Sequence, residues 1–123
     1  MSKSYNIKYK VSNKPVIWSL FAAGGTIAAL VLPVLVLLFT LAVPLSLLPQ
    51  EIFSYARMQT ALASSLVRLF LFTVVFLSLW HAAHRMRITL HDFGLRADSL
   101  VKYLLYGLAA IASIILGIVL FSA

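Results

Sequence analysis

Residues 80–92 read Trp80-His81-Ala82-Ala83-His84-Arg85-Met86-Arg87-Ile88-Thr89-Leu90-His91-Asp92, and they close the second of three long apolar runs. All three histidines lie in this stretch, with two arginines and one of the three acids. Working back along the chain, the run from Ala61 to Ala83 is apolar apart from Arg68, His81 and a few small hydroxyl side chains. A helix needs about 20 mostly apolar residues to cross the hydrocarbon of a bilayer. The run from Ala61 meets that length, and the charged stretch after it marks where the hydrocarbon ends. Gly94 is the natural stop, because a helix commonly ends on a left-handed glycine. A helix over residues 55–92 is predicted, its last turns standing beyond the membrane.

Working outward, the first apolar run covers residues 15–43 and carries no charge after Lys14. Ser12-Asn13 supplies capping side chains, and Pro15 fits a first turn where its missing N–H costs nothing. Such a helix would be roughly 43 Å long against about 30 Å of hydrocarbon, so it must tilt or protrude. Pro33 removes one backbone hydrogen bond in mid-run, which predicts a kink. Pro44, Pro49 and Gln50-Glu51 make the turn to the second helix. The third run, residues 99–121, opens on Asp98, an expected N-cap. The predicted fold is an all-α membrane protein with three transmembrane helices, at about residues 15–43, 55–92 and 99–121. A basic tail over residues 1–14 precedes a membrane domain over residues 15–123.

Composition agrees. The 123 residues are 63% hydrophobic and 11% charged, against roughly 45–50% and about 25% in soluble domains. Ten Lys and Arg face three acids, for a net charge of +7. These charges sit at the ends of apolar runs rather than along a soluble surface, so lipid, not nucleic acid, is the partner they imply. The tail carries Lys3, Lys8, Lys10 and Lys14, and the second connection carries Arg85, Arg87, Arg96 and Lys102 against Asp92 and Asp98. The first connection has Glu51 and Arg57, which cancel. The Lys/Arg excess places the N-terminus and the second connection in the cytoplasm and the C-terminus outside. The tail is read as retained, since the apolar run after it far exceeds the roughly 7–15 residues of a signal-peptide core. The absence of cysteine excludes disulfides, thiolate metal sites and a cysteine nucleophile within the chain. No set of residues suggests catalysis by the chain alone.

Trp80, His81, His84 and Arg85 pair at helical spacings of three and four, which puts them on a shared face. Such a group serves as an interface belt, with Trp anchored and Arg reaching toward headgroups. It also suits a pocket for a ligand apolar at one end and hydrogen-bonding at the other, as a quinone is. Trp18, near the start of the first helix, lies at the depth of His84 and Arg85, with Phe21 three residues on. His84 and His91 fall on one face of one helix and cannot approach a haem iron from opposite sides, so no haem is expected. His81, His84, His91 and Asp92 match no zinc spacing. Arg68, the one charge inside an apolar run, reads as a structural ion pair or a headgroup contact near the outer interface. Ala22-Ala23-Gly24-Gly25 lets a helix approach closely, from this chain or from a partner.

Three motifs occur in order: Lys14-Pro15-Val16-Ile17-Trp18-Ser19-Leu20-Phe21-Ala22-Ala23-Gly24-Gly25, then His84-Arg85-Met86 with His91-Asp92, then Tyr106-Gly107-Leu108-Ala109-Ala110. With three spans of this length, the chain resembles the fumarate reductase D-subunit family. The resemblance implies a bacterial inner-membrane anchor in a four-subunit complex, together with a second membrane anchor, an iron–sulfur subunit that carries electrons and a flavoprotein subunit that reduces fumarate. It also implies a menaquinol site shared with those partners and no haem. Trp18 and Arg85 match the residues that line the quinone site in this family, with His84 and Phe21 adjoining. The sequence departs from the family in Arg87-Ile88, which stand where further histidine is familiar, so a proton-relay role for those histidines does not carry over. Ser19 stands where glycine is familiar. Two alternatives stay open: the anchor of a succinate dehydrogenase, and a small structural membrane protein that binds anionic lipid.

Overall fold

The computed structural model describes residues 11–95 and 97–122. Most of the basic tail expected over residues 1–14, and Arg96 of the second connection, lie outside the described residues. Helix α1 spans Lys14–Leu37 and continues through a π-helical turn over Leu38–Ala42. A 3-10 turn over Gln50–Phe53 leads to α2 (Tyr55–Ala63), α3 (Ser65–Asp92) and α4 (Asp98–Phe121). Among the described residues three helices are long and apolar enough to cross a membrane: Lys14–Ala42, Ser65–Asp92 and Asp98–Phe121.

Local chemistry sets the helix ends. Pro15 occupies the first turn of α1. Asn13 does not cap it with its side chain as expected; the Ser12 hydroxyl accepts a 3.3 Å bond from the Lys14 N–H instead. Pro33 stays inside the helix and leaves the Ala29 carbonyl without its helical donor. The π-helical turn comes just ahead of Pro44, whose ring would collide with the Thr40 carbonyl in an ordinary helix. The Val43 N–H reaches back five residues to the Leu38 carbonyl at 3.0 Å.

The expected continuous helix over residues 55–92 is broken. Ser64 takes an extended conformation (φ −76°, ψ 123°), dividing α2 from α3. The physical reason lies in the sequence: Tyr55-Ala56-Arg57-Met58-Gln59-Thr60 is too polar to extend a spanning helix into hydrocarbon. Small residues Ala63, Ser64 and Ser65 allow the chain to turn there. Ser64 then gives α3 its first acceptor, the Arg68 N–H bonding its carbonyl at 3.1 Å. The far end of α3 closes as expected. Gly94 has φ +88°, the Gly94 N–H bonds the His91 carbonyl at 3.0 Å and the Leu95 N–H bonds the Leu90 carbonyl at 3.1 Å. This pair of bonds satisfies two carbonyls that the helix end would leave orphaned.

Asp98 is not the N-cap of α4 either. It is the first helical residue, behind Ala97, and its carboxylate goes to Arg87. An acid in the first turn still complements the helix dipole.

α3 is the middle helix, with α1 against one side and α4 against the other. The residues buried within the chain are small: Gly24, Ala83, Ala109 and Ser113. Close approach of small residues is how helices pack in lipid, where apolar side chains gain little by leaving their solvent. Gly24 and Gly25 are the clearest case. A Cβ on Gly24 would run into the Leu77 backbone carbonyl, and one on Gly25 would come within 2.6 Å of the His81 ring. The small-residue patch is therefore used inside the chain, by α3. Many large apolar side chains of the three spans, such as Leu30, Leu66 and Ile114, point outward and stay exposed.

Candidate functional site

Where α1 begins and α3 nears its end, a cleft of about 630 Å³ opens between the three spans. Lys14, Ile17, Trp18, Leu20 and Phe21 of α1, Trp80, His84 and Arg87 of α3, and Tyr106 of α4 line it. The geometry follows from chain reversal at the Gly94 turn. His84 lies as many residues before the end of α3 as Tyr106 lies after the start of α4, so the two meet at one depth.

Phe21 is the hinge of the α1–α3 contact. Its ring stacks on His81 at a centroid distance of 4.5 Å and 16°, and meets His84 edge-on at 4.5 Å and 62°. The Phe21 carbonyl lies 3.1 Å from His81 Nδ1. A carbonyl only accepts, so His81 carries its proton on Nδ1. His84 faces the other way, with Nδ1 2.7 Å from the Tyr106 hydroxyl. Tyr106 is held from behind by Trp80, stacked at 5.8 Å and 19°. The Trp80 Nε1 is buried without a hydrogen-bond partner among the described residues. At the end nearest the turn, Arg87 grips Asp98 through two bonds, Nε to Oδ1 at 2.9 Å and Nη2 to Oδ2 at 2.7 Å. This two-pronged pair fixes the guanidinium's direction as well as its charge.

The structure thus brings together three of the four residues singled out in the sequence: Trp18, Phe21 and His84. Arg85 is exposed and does not line the cleft. The arginine in the cleft is Arg87, two residues on, which helical phase turns to another face. Sequence reasoning missed Arg87 and Tyr106 as cleft residues. A signal existed for Arg87, since it lies three residues after His84 and shares its face. Tyr106 opened a quoted motif but had no local partner to mark it.

The cleft is an amphiphile's site. Ile17, Leu20 and the rings of Trp18, Phe21 and Trp80 make its walls, and Lys14, His84, Arg87 and Tyr106 offer hydrogen bonds at one end. Its size falls within the range usual for small-molecule sites. Trp18 is 69% exposed although it lines the cleft, so this chain supplies only part of the enclosure. Among the described residues no cluster of His, Asp and Glu could hold a metal ion.

Three apolar spans with a cleft open on one side describe a small membrane protein. Comparison with known proteins makes the class specific. The family model for the fumarate reductase D-subunit matches residues 8–121. The fumarate reductase D-subunit of Vibrio vulnificus (strain YJ016) is 36% identical over 115 residues, covering 92% of each chain. That of Mycobacterium bovis (strain BCG / Pasteur 1173P2) is 40% identical over 105 residues, covering 83% of this chain and 82% of its own. That of Vibrio cholerae serotype O1 (strain M66-2) is 37% identical over 108 residues, covering 88% and 83%. The chain belongs to the fumarate reductase D-subunit family and is an accessory membrane anchor, not a catalytic subunit.

Proposed function

We propose that this chain helps hold an iron–sulfur and a flavoprotein subunit to the bacterial inner membrane, beside a second membrane anchor, and contributes one wall of their menaquinol site. The observation that carries the reading is the cleft, where Trp18, Phe21 and His84 converge from two helices with Tyr106 and Arg87. The residues suit a menaquinone: flat aromatic walls for the ring, donors at one end for a carbonyl oxygen, and lipid at the open side for the tail. When bound, the quinone supplies the two-electron couple that drives fumarate reduction. The chain's own residues bind and orient it. Trp18 offers a flat face and an indole N–H. Arg85 stands next to His84 in sequence but on the exposed side, where it would meet the ligand's rim or the iron–sulfur partner. The charge asymmetry supports a cytoplasmic N-terminus, with the cleft on the cytoplasmic side. Family membership favours this reading over a small lipid-binding protein. A succinate dehydrogenase anchor would run the same chemistry in reverse.

The test uses the assembled complex. Arg85 is exposed in this chain, so its contact with the ligand forms only where partner subunits close the site over it; loss of a charged hydrogen bond there would cost on the order of 1.5–3 kcal/mol, roughly a tenfold to hundredfold effect. Arg85→Leu is expected to slow quinol oxidation by that factor while fumarate reduction from a soluble artificial donor stays intact. Trp18→Ala does the same more mildly. Parental quinol oxidation by both variants would make these residues interface anchors only.

A further inference from the structure

We infer that Tyr106 is a positioning residue for the cleft: its hydroxyl fixes which nitrogen of His84 carries the proton, and so makes His84 a hydrogen-bond donor toward the ligand. The inference deepens the quinone reading above and rests on it for the identity of that ligand.

The argument begins with a contrast between two histidines on one helix. His81 Nδ1 faces a backbone carbonyl at 3.1 Å, so its tautomer is dictated: Nδ1 must donate. His84 Nδ1 faces a hydroxyl at 2.7 Å, and a hydroxyl can donate or accept. Relative donor and acceptor strength sets the direction, and the ring geometry is compatible with it. A phenol donates well and accepts poorly, whereas a neutral imidazole nitrogen is a strong acceptor. The two rings also lie 15° from parallel, with centroids 6.4 Å apart. That arrangement suits an O–H directed at a lone pair in the imidazole plane. Tyr106 therefore donates to Nδ1, and the proton of neutral His84 sits on Nε2.

The Tyr106 hydroxyl cannot drift from this role. Trp80 stacks on its ring at 5.8 Å, and Phe21 meets the His84 ring edge-on at 4.5 Å. One partner comes from α1, one from α3 and the hydroxyl itself from α4, so the tautomer is set by the packing of all three spans. With Nδ1 occupied, Nε2–H is the nitrogen left to His84 for a ligand in the cleft that both residues line. A carbonyl oxygen is the group it would meet best. Arg87, its guanidinium gripped by Asp98, is a donor only and adds a second fixed direction. The arrangement locks one histidine as donor beside a salt bridge.

The test is Tyr106→Phe in the assembled complex, which removes one oxygen and keeps the ring that Trp80 stacks on. Two readouts separate the proposal from the function it serves. The first is the ¹⁵N spectrum of histidine-labelled complex in membranes, with the His84 signals identified as those lost in His84→Gln. Parental His84 is expected to show an unprotonated Nδ1 and a protonated Nε2, and Tyr106→Phe to shift it toward a mixture of both tautomers. The second is quinol oxidation. Loss of the preset donor is expected to raise KM by about fivefold, the effect of one neutral hydrogen bond, with kcat less affected and soluble-donor fumarate reduction unchanged. An identical His84 spectrum in the parent and in Tyr106→Phe overturns the proposal. A shifted spectrum with an unchanged KM upholds the tautomer lock and overturns the quinone reading of the cleft.

Discussion

The two ends of α3 each carry an arginine beside a cleft, and they use it differently. At the end near Asp92, Arg87 crosses to another helix and grips Asp98. Around it His81, His84, Trp80, Phe21 and Tyr106 connect all three spans through rings and hydrogen bonds. At the start of α3, Arg68 turns back along its own chain and donates its Nε–H to the Leu62 carbonyl. The cleft there, of about 560 Å³, is lined mainly by apolar side chains, with Tyr55, Gln59 and Arg68 among them. One arginine organises a surface between helices; the other closes a break within a chain. In a membrane helix both uses satisfy backbone or charge that lipid cannot. The first gathers aromatic walls and polar groups from all three spans around one cleft, which is why the function is assigned to that end.

The sharpest way to break the comparison is to push α1 away from α3. The cleft end exists because Gly24 and Gly25 let the two helices approach. A methyl group on Gly24 meets the Leu77 carbonyl, which is backbone and cannot step aside, and comes within 3.0 Å of His81 Cβ. Gly24→Ala should cost about 1–3 kcal/mol and reduce the amount of assembled complex in membranes several-fold. The nearest atoms to a Gly25 methyl belong to the His81 ring, a side chain that can shift at the cost of its bond to the Phe21 carbonyl, so the effect of Gly25→Ala should be milder. Parental accumulation of Gly24→Ala would mean that α1 and α3 do not pack as described.

Much of this was legible in the sequence, and the misses have causes. Apolar runs bounded by charge located three spans, because the hydrocarbon thickness fixes how long such runs must be. Depth counting brought Trp18 to the level of His84, since antiparallel spans share a ruler. Helical phase across helices was not legible. Arg85 and Arg87 are two residues apart and differ by more than half a turn, and only the position of α4 decides which one enters the cleft. The break at Ser64 was hidden for another reason. The residues around it form helices readily, and the stop comes from a change of environment between polar α2 and apolar α3. Asp98 misled as a cap because a carboxylate can satisfy either a helix N-terminus or an arginine, and here the arginine prevailed.

A milder perturbation sharpens the cleft end without dismantling it. Asp98→Asn keeps the shape of the side chain and removes the charge that holds Arg87. The pair is partly exposed, its two side chains 27% and 44% accessible, and such pairs contribute little to stability. The fold should therefore tolerate the change, with assembly at the parental level. Its effect belongs to direction: a guanidinium no longer gripped at two points can rotate. Quinol oxidation is expected to fall by about twofold, within the range of a half-exposed ion pair. A loss as large as that of Arg85→Leu would show that the direction of Arg87 matters to the ligand as much as the charge of Arg85.

The smallest effect is expected at the opposite end. Leu62 lies in the last turn of α2, where carbonyls have no partner within the helix. Arg68 supplies one, and a cation at a helix C-terminus is favourable by about 0.3–1 kcal/mol when near the surface. Arg68→Gln keeps a side chain able to donate a hydrogen bond but removes the charge. The helix break should persist, because it follows from the polar sequence of α2 and not from this one bond. The complex should assemble normally, lose at most a few degrees of thermal stability, and oxidise quinol at the parental rate. Arg68→Lys should be closer still to the parent, since an ammonium group also satisfies terminal carbonyls. The decisive measurement is quinol oxidation in the Arg68→Gln complex set beside that of Trp18→Ala. If the two fall equally, the end of α3 that faces α2 takes part in the quinol reaction, and the division of labour between the two arginines is wrong.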